Sequence, residues 1–402
     1  MKNLAILTAT RAEYGLLRNL IAGLSAVDEF HVEVLVTGGH LSLEQGLTYR
    51  EIEKDGVHIS KKIEILLESG SPAAISKSMG LAMIGFADYF ADNKLDALIV
   101  LGDRYETLAV CCAAMNARIP IIHLYGGDIT EGAIDEAVRH AITKMSYLHF
   151  TSTEESRKRV IQLGENPDRV FCVGAIGIDN ALKEDKLTKA EVSREVGLDL
   201  SVPYGVVTFH PVTLEGNVEA QCRELFAAID YMNGYQYIVT GANADCGGSQ
   251  INQLWKEFIR DRPNISFVAS LGQKKYHSAL KYASFVLGNS SSGLSEAPSF
   301  HVPTVNIGDR QRGRLRADSV LDCRIERKEI VTAVQTAMSP AFRNQLEHVE
   351  NPYGDGNAME RIIQVLTEKL LCETINLKKT FYDVKFQYEE SVICGIPDIG
   401  KN

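Results

Sequence analysis

The sequence predicts an α/β protein of two Rossmann-like domains facing a cleft. Three observations carry this prediction. Apolar runs of strand length alternate with amphipathic stretches of helix length from the first residues onward, which is the signature of parallel sheets covered by helices. The series stops near residue 175 and restarts near 204. The chain also has 402 residues, more than a single hydrophobic core usually organises.

The elements follow in order. LAILTA (4–9) reads as a strand, an amphipathic helix covers 12–26, and HVEVLVTG (31–38) is the second strand. A helical stretch at 73–93 leads to ALIVLG (97–102), whose apolar run is too short for an independent helix and reads as a buried strand. A helix at 105–117, the strand and loop PIIHLYGG (120–127), a helix at 133–146, YLHFTST (147–153), a helix at 153–163 and VFCVG (170–174) complete the first half. A charged helical segment at 178–202, closed by Pro203, joins it to a second series. The strands of that series are YGVVTFHP (204–211), YQYIVTG (235–241), ISFVAS (265–270), ASFVLGNSS (283–291) and VPTVNIGD (302–309), and a helix covers 356–371. The expected division is 1–175, 176–370 and a tail, 371–402, which the pattern does not place.

Composition narrows the function. The net charge is −10, so a general nucleic-acid surface is not expected, and an anionic ligand has to be met by local arginines. The longest apolar run, Leu108 to Met115, is far shorter than a membrane span. MKNLAILTATRAEYG has a strand-length apolar stretch followed by Glu13, so no secretory signal is expected. Eight cysteines are scattered without a C-x-x-C pair or a zinc spacing. They read as reduced thiols of a cytoplasmic protein that carries no fixed metal.

Ligands of parallel sheets bind beyond the carboxyl ends of the strands, and five such ends carry chemistry here. TATRAEYG (8–15) lacks G-x-G-x-x-G, which argues against a dinucleotide cofactor. Its Arg11 either reaches a phosphate or sugar or is a solvated arginine at a helix start. LGDRYE (101–106) presents Asp103, Arg104 and Glu106, which either serve a reaction or cap the next helix. HLYGGDITEGAIDEAVRH (123–140) has a Gly126-Gly127 turn that lets backbone approach a ligand. Around it lie His123, Tyr125, Asp128, Glu131, Asp135 and Glu136, the last two suited to the first turn of a helix. TFHPVT (208–213) offers His210 as an acid, a base or a phosphate donor, or as a hydrogen-bonded structural histidine. In LGNSSSGLSEAPSF (287–300), Ser290, Ser291 and the backbone of a helix start suit an anion, with Glu296 one turn on for a ribose. NIGDRQRGR (306–314) adds Arg310, Arg312 and Arg314, the local charge a diphosphate needs. Together these point to a nucleotide diphosphate on the second half, its other group facing carboxylates of the first: a nucleotide-sugar enzyme.

Taken in order, TATRAEYG, LGDRYE, HLYGGDITEGAIDEAVRHAITK, HFTSTEESRKRVIQLGE, TFHPVT, GNSSSGLSE and NIGDRQRGR resemble the hydrolysing UDP-N-acetylglucosamine 2-epimerases of sialic acid synthesis, over roughly residues 1–370. The resemblance implies a GT-B-like fold, a homodimer or homotetramer, a UDP-sugar substrate and no cofactor. It also implies an elimination: a base removes H2 as UDP leaves C1, giving 2-acetamidoglucal. Water then adds, and C2 is reprotonated on the other face. By motif, Asp103 becomes the catalytic acid or base with Arg104 beside it. His210 lies near the diphosphate and C1, and Asp135 matches a catalytic aspartate. Arg11, Asn243, Ser290, Ser291, Glu296 and Arg310 match nucleotide-binding positions. Many members read H-x-E-G-G where this chain has His123-Leu-Tyr125-Gly-Gly. His123 and Tyr125 therefore stand at the sugar, with Asp128 and Glu131 as candidates to replace the missing carboxylate. The nearest alternative substrate is UDP-N,N′-diacetylbacillosamine, used for legionaminic acid. More distant alternatives are a non-hydrolysing epimerase, a retaining glycosyltransferase and a non-catalytic nucleotide-sugar binder.

Overall fold

The structure is a computed structural model and describes residues 1–67, 71–130, 134–211, 218–242 and 248–385. The first sheet contains β1 (Lys2–Thr8), β2 (Phe30–Thr37), β3 (Ile59–Ile63), β4 (Ala97–Leu101), β5 (Ile121–Leu124), β6 (Leu148–Thr151) and β7 (Val170–Cys172). Its order is β3-β2-β1-β4-β5-β6-β7. The second sheet contains β8 (Tyr204–Thr208), β9 (Gln236–Thr240), β10 (Ile265–Val268), β11 (Phe285–Gly288), β12 (Thr304–Ile307) and β13 (Val320–Cys323). Its order is β10-β9-β8-β11-β12-β13. Every pairing in both sheets is parallel. The strand order reverses between β1 and β4 and again between β8 and β11, which creates two switch points where ligands gather.

The strands form where they do because helices cover both faces of each sheet. In β4 every residue is buried. Ala97, Ile99 and Leu101 join one core with Leu4 and Ile6, while Leu98 and Val100 join the opposite core with Ala5 and Leu7. Alternate side chains thus serve two layers, and each buried Leu, Ile or Val contributes about 1.5–3 kcal/mol.

The division near residue 175 needs a correction. The expected single segment at 178–202 is two helices, Ile176–Lys183 and Lys189–Val196. The first of these and the helix Ala358–Thr367 belong to the N-terminal core: Ile176, Ala358, Ile362 and Leu366 pack with Leu17, Leu20 and Leu24. Buried Asp179 accepts the Ala358 and Met359 N–H groups at 3.0 and 2.8 Å, capping that returning helix. The chain therefore crosses between domains twice. Gly174 and Gly354 meet at the crossings with φ of +96° and +121°, and a Cβ on Gly174 would stand 3.3 Å from the Gly354 Cα. Only glycine combines that conformation with that approach.

The start of the tail docks back on the first domain. Lys379 donates to Glu165 at 2.6 Å and to the Ser146 carbonyl at 2.7 Å. The Tyr382 N–H reaches the Gly164 carbonyl at 3.0 Å, and Phe381 covers Gly164. Among the described residues, no helix is long and apolar enough to cross a membrane.

Candidate active site

The first switch point gathers acids and arginines. After β1, Thr10 caps the helix Arg11–Ser25 and Glu13 closes a capping box. The Glu13 carboxylate accepts the Ala9 and Thr10 N–H groups at 2.6 and 3.1 Å. Burial raises its pKa to about 7, with the Glu106 charge adding to the rise and the two N–H groups and Arg104 opposing it. After β4, Arg104 donates to fully buried Glu106 at 2.9 and 3.2 Å. His40, beyond β2, bridges Thr8 and Thr48 at 2.9 and 2.8 Å. Burial lowers its pKa to about 4 and keeps it neutral. Arg11 is exposed on the first turn of its helix.

Asp103 is held by a residue from another element. Arg139, on the helix Ile134–Met145, is 3% exposed and hydrogen-bonds the Asp103 carboxylate and Thr130 Oγ1, the latter at 2.9 Å. Its other nitrogen, Nη1, reaches the Asp128 carbonyl at 2.6 Å and Glu136 at 3.1 Å. Burial works against the Glu136 charge, but the Thr130 N–H, His140 and Arg139 outweigh it and lower the pKa. Asp135 lies exposed on the first turn. Glu136, expected as a plain first-turn acid, is the one that joins the network. Glu131 lies outside the described residues.

The Gly126-Gly127 turn behaves as expected, but its flanking residues differ. Gly127 has φ +83°, and a Cβ there would stand 2.1 Å from the Ser156 carbonyl oxygen. His123 is fully buried, with Nε2 on the Gly102 carbonyl at 2.8 Å and Nδ1 on Thr143 at 3.2 Å. Burial lowers its pKa to about 3. In the structure both ring nitrogens are engaged within the protein, and His123 supports the loop that carries Asp103. Tyr125 adopts φ +67°, and its hydroxyl accepts the Gly177 N–H at 3.3 Å, at a domain crossing. Asp128 accepts the Ser152 and Ser156 hydroxyls at 3.0 and 2.6 Å.

The second switch point is organised by a residue the motif reading passed over. Asn289 follows β11 and is fully buried. It accepts the His210 N–H at 2.7 Å and donates to the His210 carbonyl at 2.9 Å. Its own carbonyl accepts from Arg310 at 3.1 Å and Gln311 at 2.8 Å. One asparagine thus ties His210 after β8, the serine loop after β11 and the arginine loop after β12. Ser290 caps a single turn, Ser291–Ser295, and Ser292 shares a hydrogen bond with Tyr276 at 2.5 Å. Glu296 closes that turn and lies 3.3 Å from His277 Nε2. Arg312 and Arg314 are exposed beside it. Asn243 lies outside the described residues.

With this geometry in place, comparison with known proteins is decisive. The family model described as UDP-N-acetylglucosamine 2-epimerase matches residues 23–367. The chain belongs to this family. Polysialic acid biosynthesis protein P7 of Escherichia coli is 39% identical over 96% of this chain and 98% of the relative. The Campylobacter jejuni protein named GDP/UDP-N,N′-diacetylbacillosamine 2-epimerase (hydrolyzing) is also 39% identical, over 95% of this chain and 99% of its own. Among solved structures, the UDP-GlcNAc 2-epimerase from Neisseria meningitidis bound to UDP-GlcNAc superposes with a TM-score of 0.76 at 19% identity, over 92% of this chain and 100% of its own. That likeness supports the fold.

In this UDP-N-acetylglucosamine 2-epimerase family member, the two switch points divide the candidate residues. Asp103, Arg104, Asp128 and Arg139 cluster at the first sheet, and His210, Ser290, Glu296 and Arg310 at the second. Two partners were missed by motif reading. Glu13 had a signal in the T-x-x-E capping spacing of Thr10 and Glu13. Arg139 had none short of the fold itself, since its bond to Asp103 spans two elements.

Proposed function

We propose that the protein is a hydrolysing UDP-N-acetylglucosamine 2-epimerase, converting UDP-GlcNAc and water to N-acetylmannosamine and UDP. The observation that carries this reading is the Asp103–Arg139 ion pair at one switch point, matched by the Asn289-centred donor set at the other.

H2 of the sugar is not next to a carbonyl, so it cannot leave by enolisation. In the proposed route Asp103 takes H2 while the C1–O bond to UDP breaks, giving 2-acetamidoglucal. The Arg139 guanidinium holds the Asp103 carboxylate in place before this step. Water then adds at C1, and a proton returns to C2 from the opposite face. Asp128 and Glu131 are the proposed acids for the second stage, with Tyr125 where many relatives carry glutamate and Asp135 as a further catalytic carboxylate. Arg104 pairs with Glu106. His210 and Arg310 meet the departing diphosphate; Arg11, Asn243, Ser290, Ser291 and Glu296 hold the nucleotide. Acid–base groups supply about 10²–10⁴-fold each, and stabilisation of the leaving diphosphate is the larger contribution.

A second substrate, UDP-N,N′-diacetylbacillosamine, is favoured by the identity to the Campylobacter jejuni protein named for it. Direct comparison of kcat/KM for the two sugars decides between them. We also propose a homo-oligomer. Its support is an exposed apolar face on the helix Pro72–Asp92, with Leu81, Met83 and Ile84 at 42, 38 and 65% exposure. The free thiols support a reducing, cytoplasmic setting.

Asp103→Asn tests the enzymatic reading. Turnover falls at least about 10²-fold while UDP affinity is kept. Unchanged turnover overturns the role of Asp103. If the wild type binds UDP but turns over neither sugar, the non-catalytic binder is favoured.

A further inference from the structure

His277 lies outside every motif and is not itself among the expected substrate contacts, yet it is 1% exposed and lies close to two carboxylates. It sits on the helix Gly272–Tyr282 of the second domain. Its Nε2 is 3.3 Å from Glu296, and its Nδ1 is 3.8 Å from Glu184. Glu184 ends the helix Ile176–Lys183, where the chain passes from the first domain into the second. Its other oxygen accepts from Arg18 at 2.6 Å, on the helix that follows β1. The facing atoms, His277 Nδ1 and Glu184 Oε2, are both buried and both without a hydrogen-bond partner. Two complementary buried groups less than 1 Å beyond hydrogen-bond distance form a contact left one small shift short of closing.

The same helix makes two further contacts, one to the serine loop and one to the first domain. Tyr276 hydrogen-bonds Ser292 of the serine loop. Gln273 lies 3.6 Å from where a Cβ on Gly15 would stand, on the first domain's helix. A carboxylate that must accept ribose hydroxyls needs its orientation fixed by a neighbour, as ligating groups generally do. Glu296 is a quarter exposed, and the buried His277 ring lies beside it with Nε2 at 3.3 Å.

We propose that His277 is a positioning residue: it holds Glu296 for the ribose of the nucleotide, and is braced from behind by Glu184 at the domain crossing. The proposal rests on the reading of Glu296 as a nucleotide contact. It implies that UDP affinity depends on a side chain that does not touch UDP, and that this dependence passes only through Glu296.

Calorimetric titration of UDP into the full-length protein tests it, with the thermal midpoint recorded for each variant. Glutamine can place a donor where Nε2 lies, and asparagine where Nδ1 lies. We expect His277→Gln to keep UDP affinity within about threefold, and His277→Asn and His277→Ala to weaken it about tenfold, the size of a lost charged hydrogen bond. In a Glu296→Gln background, His277→Ala should cost nothing further. If Glu296→Gln weakens UDP but His277→Ala does not, the proposal is overturned. If His277→Ala costs the same tenfold in both backgrounds, or glutamine and asparagine behave alike, its role is packing and the proposal is overturned. If the wild type does not bind UDP, or Glu296→Gln leaves affinity intact, the nucleotide reading fails first and the proposal falls with it.

Discussion

Arg139 donates to the carboxylate of Asp103 from the helix that follows the next strand, and its own side chain is almost fully buried. The guanidinium has four acceptors around it: Asp103, Thr130, the Asp128 carbonyl and Glu136. A planar fork suits that arrangement, whereas a lysine ammonium cannot span it. Asp103 is therefore aimed by its partner as well as by its strand. Arg139→Lys should lower kcat about 10²-fold and leave UDP affinity within about twofold, because most of the proposed nucleotide contacts lie on the other domain. Steady-state kinetics and calorimetry check this; a wild-type kcat in the variant contradicts it.

Much of this arrangement was legible in the sequence. β4 and β8 are buried on both sides and read as unbroken apolar runs. The two strands that sequence reading missed, β3 and β13, both lie at sheet edges. β3 is ISKKI with Lys61 and Lys62 exposed, and β13 exposes Asp322. An edge strand needs apolar residues on fewer sides and carries charge that discourages further pairing, so its pattern is weak. The site divides in the same way. Asp103, His210 and Ser290 follow predicted strands, and that position makes them candidates. Arg139, Asn289 and His277 act through contacts between elements distant in sequence, and no local spacing encodes them.

Glu13 makes stability depend on pH in an identifiable direction. Its folded pKa of about 7 lies above the ordinary 4.5. The folded protein then holds more protons than the unfolded chain between those values, so stability falls as pH rises through that window. Glu13→Gln removes the buried charge. It should raise the thermal midpoint by about 2 °C at pH 8 and by nothing measurable at pH 4.5. A shift that is the same at both pH values contradicts this assignment.

The tail contributes the opposite sign. Glu165 is 1% exposed and accepts from Lys144 at 2.6 Å, His149 at 3.0 Å and Lys379 at 2.6 Å. Burial works against its charge, but these partners outweigh it and hold the pKa at about 2. That stability is present above about pH 4.5 and is lost as pH falls towards 2. Lys379→Met should lower the midpoint by about 2–4 °C at pH 7, with the gap to wild type narrowing below pH 4. A constant gap across that range contradicts the charge pairing.

The exposed face of the helix Pro72–Asp92 is self-complementary. Lys77 and Asp88 flank Leu81, Met83 and Ile84 on exposed positions. Antiparallel packing of two copies about residues 82 and 83 sets each lysine against the other copy's aspartate. In the proposed homo-oligomer, Ile84→Asp should give a smaller species in sedimentation. Lys77→Glu and Asp88→Lys should each weaken association, and the double variant should restore it. Unchanged assembly in all of these places the interface elsewhere.

The central claim is that this epimerase hydrolyses its nucleotide sugar while inverting C2. Proton NMR in D₂O with UDP-N-acetylglucosamine tests it most directly. The account predicts free UDP together with N-acetylmannosamine carrying deuterium at C2. Release of UDP with protium retained at C2, or an epimerised sugar still attached to UDP, contradicts it.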